Sequence, residues 1–256
     1  MSQERIQRAT LLLQSGMTEN ALTELTAALG EDPSNAQAHA LRALALADLE
    51  QFPDALESAE RALGEAPEWA FAHTVHARVL LRMGKPKKAL EPALEAAGMG
   101  PEDEDNHALV SACYVGLSRW RDGLAAAERG LALAPESTQC ANLRALCLRQ
   151  LGEVDEAEHA LRASLGSDPE NAWTFQNLGF AALRAGKPLE AIEHFRESLR
   201  LDPEDSLSRQ GLATALKARV PLYRPIVAWQ MLCERLSSKF GAGLILGFFL
   251  LAQLVY

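Results

Sequence analysis

The sequence predicts an all-α protein, a right-handed α-solenoid of stacked helical hairpins. The first observation is a proline that recurs every 34 residues, at Pro33, Pro67, Pro101, Pro135, Pro169 and Pro203. The second is that apolar residues between these prolines lie three and four apart, as an amphipathic helix requires. The third is the composition, because a hydrophobic fraction of 48% consists mainly of alanine and leucine, which favour helices over strands.

Each 34-residue period predicts two helices joined by a short turn. Four periods place a glycine seventeen residues before the proline, namely Gly16, Gly84, Gly152 and Gly186. Such a glycine ends the first helix in a left-handed conformation, and the proline then ends the second helix. Small residues recur twelve residues before each proline. We expect two helices to approach closely at these positions. A hairpin of this kind cannot bury its apolar face alone, so we expect the hairpins to stack.

These features resemble the tetratricopeptide repeat (TPR), a helical hairpin of 34 residues. The resemblance implies six TPR hairpins and a seventh first helix within a solenoid spanning 2–219, with repeats at 2–35, 36–69, 70–103, 104–137, 138–171, 172–205 and, in part, 206–219. The sixth repeat, AWTFQNLGFAALRAGKPLEAIEHFRESLRLDP, matches best. His39, His73 and His107 replace the family's aromatic residue. Pro92 is expected to kink its helix, which we predict to stop early, with a softer joint around 90–130.

The C-terminal segment follows a different pattern. Residues 240–256 carry no charge and are just long enough to cross a bilayer, so they are predicted to form a transmembrane segment as an apolar helix. Residues 220–239 are predicted to be a basic juxtamembrane linker or an amphipathic helix. The residues expected at the membrane interface are Tyr223, Arg224, Trp229, Arg235 and Lys239. The alternative is a soluble helix that folds back to cap the solenoid. The stretch PLYR (221–224) is similar to that of bacterial TPR proteins with a C-terminal membrane segment.

Charge and motifs exclude several classes of function. Residues 1–205 carry a net charge of −14 and residues 206–256 a net charge of +5. An acidic solenoid does not suit nucleic acid. No GxGxxG, GxxxxGK[ST], HExxH or GxSxG motif is present, so we predict no enzyme and no cofactor. His73 and His76 are interpreted as packing residues, and no metal site is predicted. The cysteines, without a CxxC pair, are expected to be reduced.

The resemblance implies a protein-interaction scaffold that binds a peptide on the concave face lined by the first helices. The residues expected on that face are Arg78, Arg82, Asn142, Arg149, Trp173, Gln176, Asn177, Phe180 and Arg184. The lysines of the family's carboxylate clamp are missing.

We expect membrane association with the TPR region in the cytoplasm, and lipid contact through the C-terminus. The alternatives are a soluble cytoplasmic co-chaperone-like adaptor and the regulatory half of an enzyme whose catalytic part is not in this chain. A homo-oligomer also stays open.

Overall fold

The structure is a computed structural model that describes residues 2–220. These residues contain thirteen α-helices and no strand. The helices are α1 (Ser2–Gln14), α2 (Thr18–Glu31), α3 (Ala36–Asp48), α4 (Phe52–Glu65), α5 (Ala70–Arg82), α6 (Pro86–Met99), α7 (Glu104–Gly116), α8 (Trp120–Leu133), α9 (Thr138–Leu151), α10 (Val154–Ser167), α11 (Ala172–Arg184), α12 (Pro188–Leu201) and α13 (Ser206–Arg219).

The chain divides into two compact units, the first ending at Pro135 and the second beginning at Glu136. The first unit contains the hairpins α1–α2, α3–α4, α5–α6 and α7–α8, and the second contains α9–α10, α11–α12 and α13. Within each unit, every second helix also packs against the first helix of the next repeat. The predicted all-α architecture of helical hairpins is therefore present in the described residues.

The turn between the two helices of a repeat contains a residue with positive φ in all six complete repeats. Gly16, Gly84, Gly152 and Gly186 have φ values of 73°, 69°, 98° and 71°. The two repeats without glycine adopt the same conformation, because Glu50 has φ of 59° and Ser118 has φ of 56°. The packing of the hairpin therefore imposes the left-handed conformation, even on residues for which it is strained.

Side chains before the first helices satisfy their free N–H groups. The Asn35 side chain accepts a hydrogen bond from the Ala38 amide, and Asn171 does the same for Thr174, each at 2.9 Å. Ser137 and Asp205 occupy the equivalent position before α9 and α13. Five of the six recurring prolines are thus followed two positions later by a polar N-cap, whereas Trp69, two positions after Pro67, makes no side-chain cap.

Helix α6 continues through Pro92 and ends only at Met99, with the same 14 residues as α4 and α8. It buries Ala89, Ala93 and Ala96 against its neighbours. The prediction that this helix stops early is therefore wrong, because burial of the alanine face outweighs the one backbone hydrogen bond that a proline removes.

The three histidines that replace the family's aromatic residue make one repeated contact. Nε2 of His39, His73 and His107 lies 2.9, 2.8 and 2.9 Å from the carbonyl oxygens of Pro33, Pro67 and Pro101. Because a carbonyl oxygen only accepts, Nε2 must carry the hydrogen in each case. The histidines thus tie α3, α5 and α7 to the turns that precede them.

The C-terminal predictions lie outside the described residues. They comprise the juxtamembrane segment 220–239 apart from its first residue, the transmembrane segment 240–256, and the interface residues Tyr223, Arg224, Trp229, Arg235 and Lys239. Within residues 2–220, no helix combines the length and the apolar character needed to cross a bilayer.

Candidate functional site

The first helices of the second unit lie side by side, since α9 contacts α11 and α11 contacts α13. Seven of the nine residues predicted to bind a peptide lie on α9 and α11. Three of them, Arg149, Phe180 and Arg184, come together near the C-terminal ends of the two helices. We call these three residues the α9–α11 site.

Arg149 is buried and retains unused hydrogen-bond donors. The residue is 8% exposed, and its guanidinium carbon lies 5.1 Å from the centre of the Phe180 ring. Neither Nε nor Nη1 has a hydrogen-bond partner in the described part of the chain. Burial, with a smaller contribution from the charge of Arg184, lowers the pKa of Arg149 to about 9. The guanidinium is therefore still a cation at neutral pH.

Arg184 is anchored to α9. Its Nη1 donates to the carbonyl oxygen of Arg149 at 2.8 Å, and its Nη2 donates to Oε1 of Gln150 at 3.0 Å. Carbonyl groups in the last turn of a helix lack helical partners and carry partial negative charge. Arg184 thus caps α9 and is held beside Arg149, so that two guanidinium groups share one small region.

Asn142 and Asn177 lie inside the unit, which differs from their predicted place on the binding surface. They are 0% and 3% exposed. Asn177 donates to Oδ1 of Asn142 at 3.0 Å, and Asn142 donates to Oγ1 of Thr174 at 2.8 Å. The physical reason is that a buried side-chain amide needs hydrogen-bond partners. Residues of α11 provide them for Asn142 of α9, and Asn142 provides one for Asn177. These amides therefore join α9 to α11.

The remaining predicted residues of α11 flank this network. Gln176 is buried and donates to Oδ2 of Asp205 at 2.5 Å. The same carboxylate accepts the Leu207 and Ser208 amides at the start of α13, so Gln176 ties α11 to α13. Trp173 is half-buried in the first turn of α11.

The two predicted residues of the first unit have acidic partners. Arg82 forms an ion pair with Asp48, one period earlier. Arg78 lies 3.9 Å from Asp105. Both arginines are partly exposed, and such pairs contribute little to stability. Unlike Arg149, these two side chains already have a carboxylate beside them.

Residues 2–220 contain no cluster of metal-binding side chains, and the buried thiols of Cys113 and Cys147 are poorly reactive. No three His, Cys, Asp or Glu side chains of this range converge on a point where a metal could bind. Cys113 and Cys147 are buried, and burial raises the pKa of each thiol to about 12. Burial likewise lowers the pKa of His76, whose Nδ1 has no partner in the described region.

Sequence reasoning missed the buried threonine of the amide network. Thr174 accepts from Asn142, 32 residues earlier, and Thr74 donates to Oδ1 of Asn106, 32 residues later, at 2.8 Å. A threonine and an asparagine separated by nearly one period are a signal that could have identified both pairs. No comparable signal distinguishes Arg149 from the other arginines of the first helices.

Two protein-family models match the chain, and both are described as tetratricopeptide repeat. One covers residues 6–70 and the other residues 136–204. A comparison with curated protein sequences gives no significant match.

Several solved structures have a similar fold. PilW, a widely conserved type IV pilus biogenesis factor, has a TM-score of 0.71 at 19% identity, covering 82% of this chain and 98% of its own. PilF of Pseudomonas aeruginosa has a TM-score of 0.66 at 22% identity, covering 83% and 96%. YrrB, a TPR protein with an unusual peptide-binding site, has a TM-score of 0.51 at 22% identity, covering 73% and 96%. At these identities, the likenesses show the fold alone.

Proposed function

Because the chain is a tetratricopeptide-repeat protein, we propose that it is a non-catalytic interaction scaffold that binds a peptide segment of a partner protein across α9 and α11. The observation that carries the proposal is the pair of unused donors on the buried Arg149 side chain. TPR proteins generally mediate protein–protein interactions, and stacked repeats offer extended surfaces for them. YrrB is described as having a peptide-binding site, which supports a peptide as the class of ligand.

The residues of this surface have the chemistry of an interface centre. Arginine and large aromatic residues are enriched where binding energy concentrates. Phe180 is half-buried beside Arg149, and Trp173 is half-buried two turns earlier on the same helix. The aromatic rings are proposed to contact apolar side chains of the peptide, and the arginines to contact its polar groups.

A selection experiment tests this proposal on the full 256-residue chain. A library of random 15-residue peptides displayed on phage is selected on the purified protein, and the enriched peptides are measured by fluorescence anisotropy. We expect enriched peptides to bind the wild type and to lose at least tenfold in affinity with Arg184→Glu. The matched control is Arg200→Glu, because Arg200 is an exposed arginine on α12 that forms an ion pair with Glu197 of the same helix.

Two outcomes would contradict the peptide-binding proposal. The first is a selection that enriches no sequence above background. The second is an equal loss of affinity in Arg184→Glu and Arg200→Glu, which would indicate a general response to charge and no role for the α9–α11 site.

We also propose that residues 240–256 anchor the chain in a membrane, with the repeats on the cytoplasmic side. The support is the sequence alone, an uncharged apolar run preceded by Arg224, Arg235 and Lys239. Expression of the full chain and of residues 1–219 in bacteria, followed by membrane fractionation, tests the proposal. The full chain should remain with membranes after carbonate extraction, while the truncated chain should not. Equal release of the full and truncated chains by carbonate would refute the membrane anchor.

A further inference from the structure

We infer that Arg149 and Arg184 together bind a carboxylate group, which a peptide on the α9–α11 site supplies from an acidic side chain or from its own C-terminus. This inference rests on the proposed function and adds the chemical group that the site selects. The residues involved are not those of the family's lysine-based clamp, whose lysines this chain lacks.

Arg149 places a buried positive charge in the α9–α11 site. A buried ion is costly unless an opposite charge and hydrogen bonds compensate for its lost hydration. Arg149 is buried and forms no ion pair within residues 2–220, and Arg184 adds a second positive charge beside it. An anion bound beside Arg149 would supply the opposite charge and the hydrogen bonds that this guanidinium lacks among residues 2–220.

Other arginines of the same fold have carboxylate partners. Arg5 is matched by Glu24 and Glu31, and Arg162 by Glu158 and Glu190, although these arginines are far more exposed than Arg149. Exposed arginines, which water can solvate, therefore have carboxylate partners, while the buried Arg149 has none among residues 2–220. Within the described residues, Arg149 is the arginine whose buried Nε and Nη1 have no partner.

Neighbouring groups orient the two arginines of the site. The Phe180 ring supports the Arg149 guanidinium, and the Arg149 carbonyl and Gln150 side chain hold that of Arg184. Guanidinium groups that are already fixed lose little conformational entropy when they bind a carboxylate. Guanidinium and carboxylate also form the shorter and stronger class of hydrogen bond.

Three small probes test the inference and separate the two sources of the carboxylate. N-acetylglutamate α-amide presents a side-chain carboxylate, N-acetylalanine presents a C-terminal carboxylate, and N-acetylglutamine α-amide is the neutral control. Each is titrated into the full chain at constant ionic strength. The readouts are the Arg184 Nε–H and Phe180 ring signals in NMR spectra, since both groups remain present when Arg149 is changed.

We expect saturable shifts with at least one acidic probe and none with the neutral probe. Arg149→Met should weaken binding at least tenfold, Arg149→Lys should weaken it less, and Arg200→Met should leave it unchanged. Arg149→Met should melt at the same temperature as the wild type or higher, because it removes an uncompensated buried charge. Shifts that do not saturate, or that persist in Arg149→Met, would overturn the inference, as would a lower melting temperature for both Arg149 variants.

Failure of this inference is distinguishable from failure of the proposed function. If selected peptides bind equally well after every Glu and Asp is changed to Gln and Asn and the C-terminus is amidated, the scaffold stands and the carboxylate site is refuted. If the acidic probes bind as expected while no peptide is enriched, the carboxylate site stands and the peptide scaffold is refuted.

Discussion

The Phe195 ring of α12 packs directly against Gly179 of α11. A Cβ atom added at Gly179 would lie 2.7 Å from the ring, and one added at Gly211 of α13 would lie 2.4 Å from it. Phe195 is fully buried. The two glycines therefore create the space in which the largest buried side chain of the second unit fits, and they fix how closely three helices approach.

Gly179→Ala is expected to lower the free energy of unfolding by about 1–3 kcal/mol, because the added methyl group overpacks the contact with Phe195. The control is Gly166→Ala in α10, where an added Cβ meets nothing within 4 Å. That change should leave stability equal or raise it by up to about 1 kcal/mol through helix propensity. Urea denaturation followed by circular dichroism measures both. A Gly179→Ala protein as stable as the wild type would show that α11 and α12 can separate freely.

Asn142→Ala is expected to lower the free energy of unfolding by about 1–3 kcal/mol, because it leaves the buried polar groups of Thr174 and Asn177 without partners. Combining it with Asn177→Ala should cost less than the sum of the single changes, since the two residues share a hydrogen bond. A double-mutant cycle in urea measures the coupling. Strict additivity would mean that the bond between the amides contributes nothing.

Ser118→Gly is expected to stabilise the first unit by about 1 kcal/mol, because Ser118 holds a left-handed conformation with φ of 56° that glycine adopts without strain. The reverse change at the equivalent position, Gly186→Ala, should destabilise the second unit by a similar amount. Thermal melts of both variants check the two signs. A lower melting temperature for Ser118→Gly would show that its side chain is needed in the turn.

Cys113 and Cys147 are expected to resist alkylation in the folded protein. Burial raises the pKa of each thiol from 9.0 to about 12, so at pH 8 the fraction of reactive thiolate falls roughly a thousandfold, besides the loss of access. N-ethylmaleimide labelling for one minute at pH 8, followed by peptide mass spectrometry, should find both residues unmodified. The same treatment in 6 M guanidinium chloride is the control and should label both. Rapid labelling of folded protein would indicate frequent local opening.

The repeat architecture could be predicted from the sequence because its signals are local. The recurring proline and the glycine seventeen residues before it report on the backbone of their own turn. The exceptions, Glu50 and Ser118, adopt the same left-handed conformation although neither residue type indicates it. Their conformation is set by helix packing, which a single position in the sequence does not record.

The candidate site could be predicted only in part. Asn142 and Arg149 are seven residues apart on α9 and were both expected on the binding surface. In the structure, Asn142 is satisfied by Thr138 and Thr174, whereas Nε and Nη1 of Arg149 have no partner among residues 2–220. The difference depends on what the next repeat places opposite each residue. Periodicity gives the side of the helix on which a residue lies, and it does not reveal the depth of that residue or its partners.

Arg82 reaches Asp48, and Arg184 reaches Gln150, so in each pair an arginine bonds the residue that stands one period before it. Such a bond depends on neighbouring copies of the hairpin and not on the number of copies. An insertion or deletion between the two residues of a pair would therefore separate them, because each arginine meets its partner only when one 34-residue repeat lies between them.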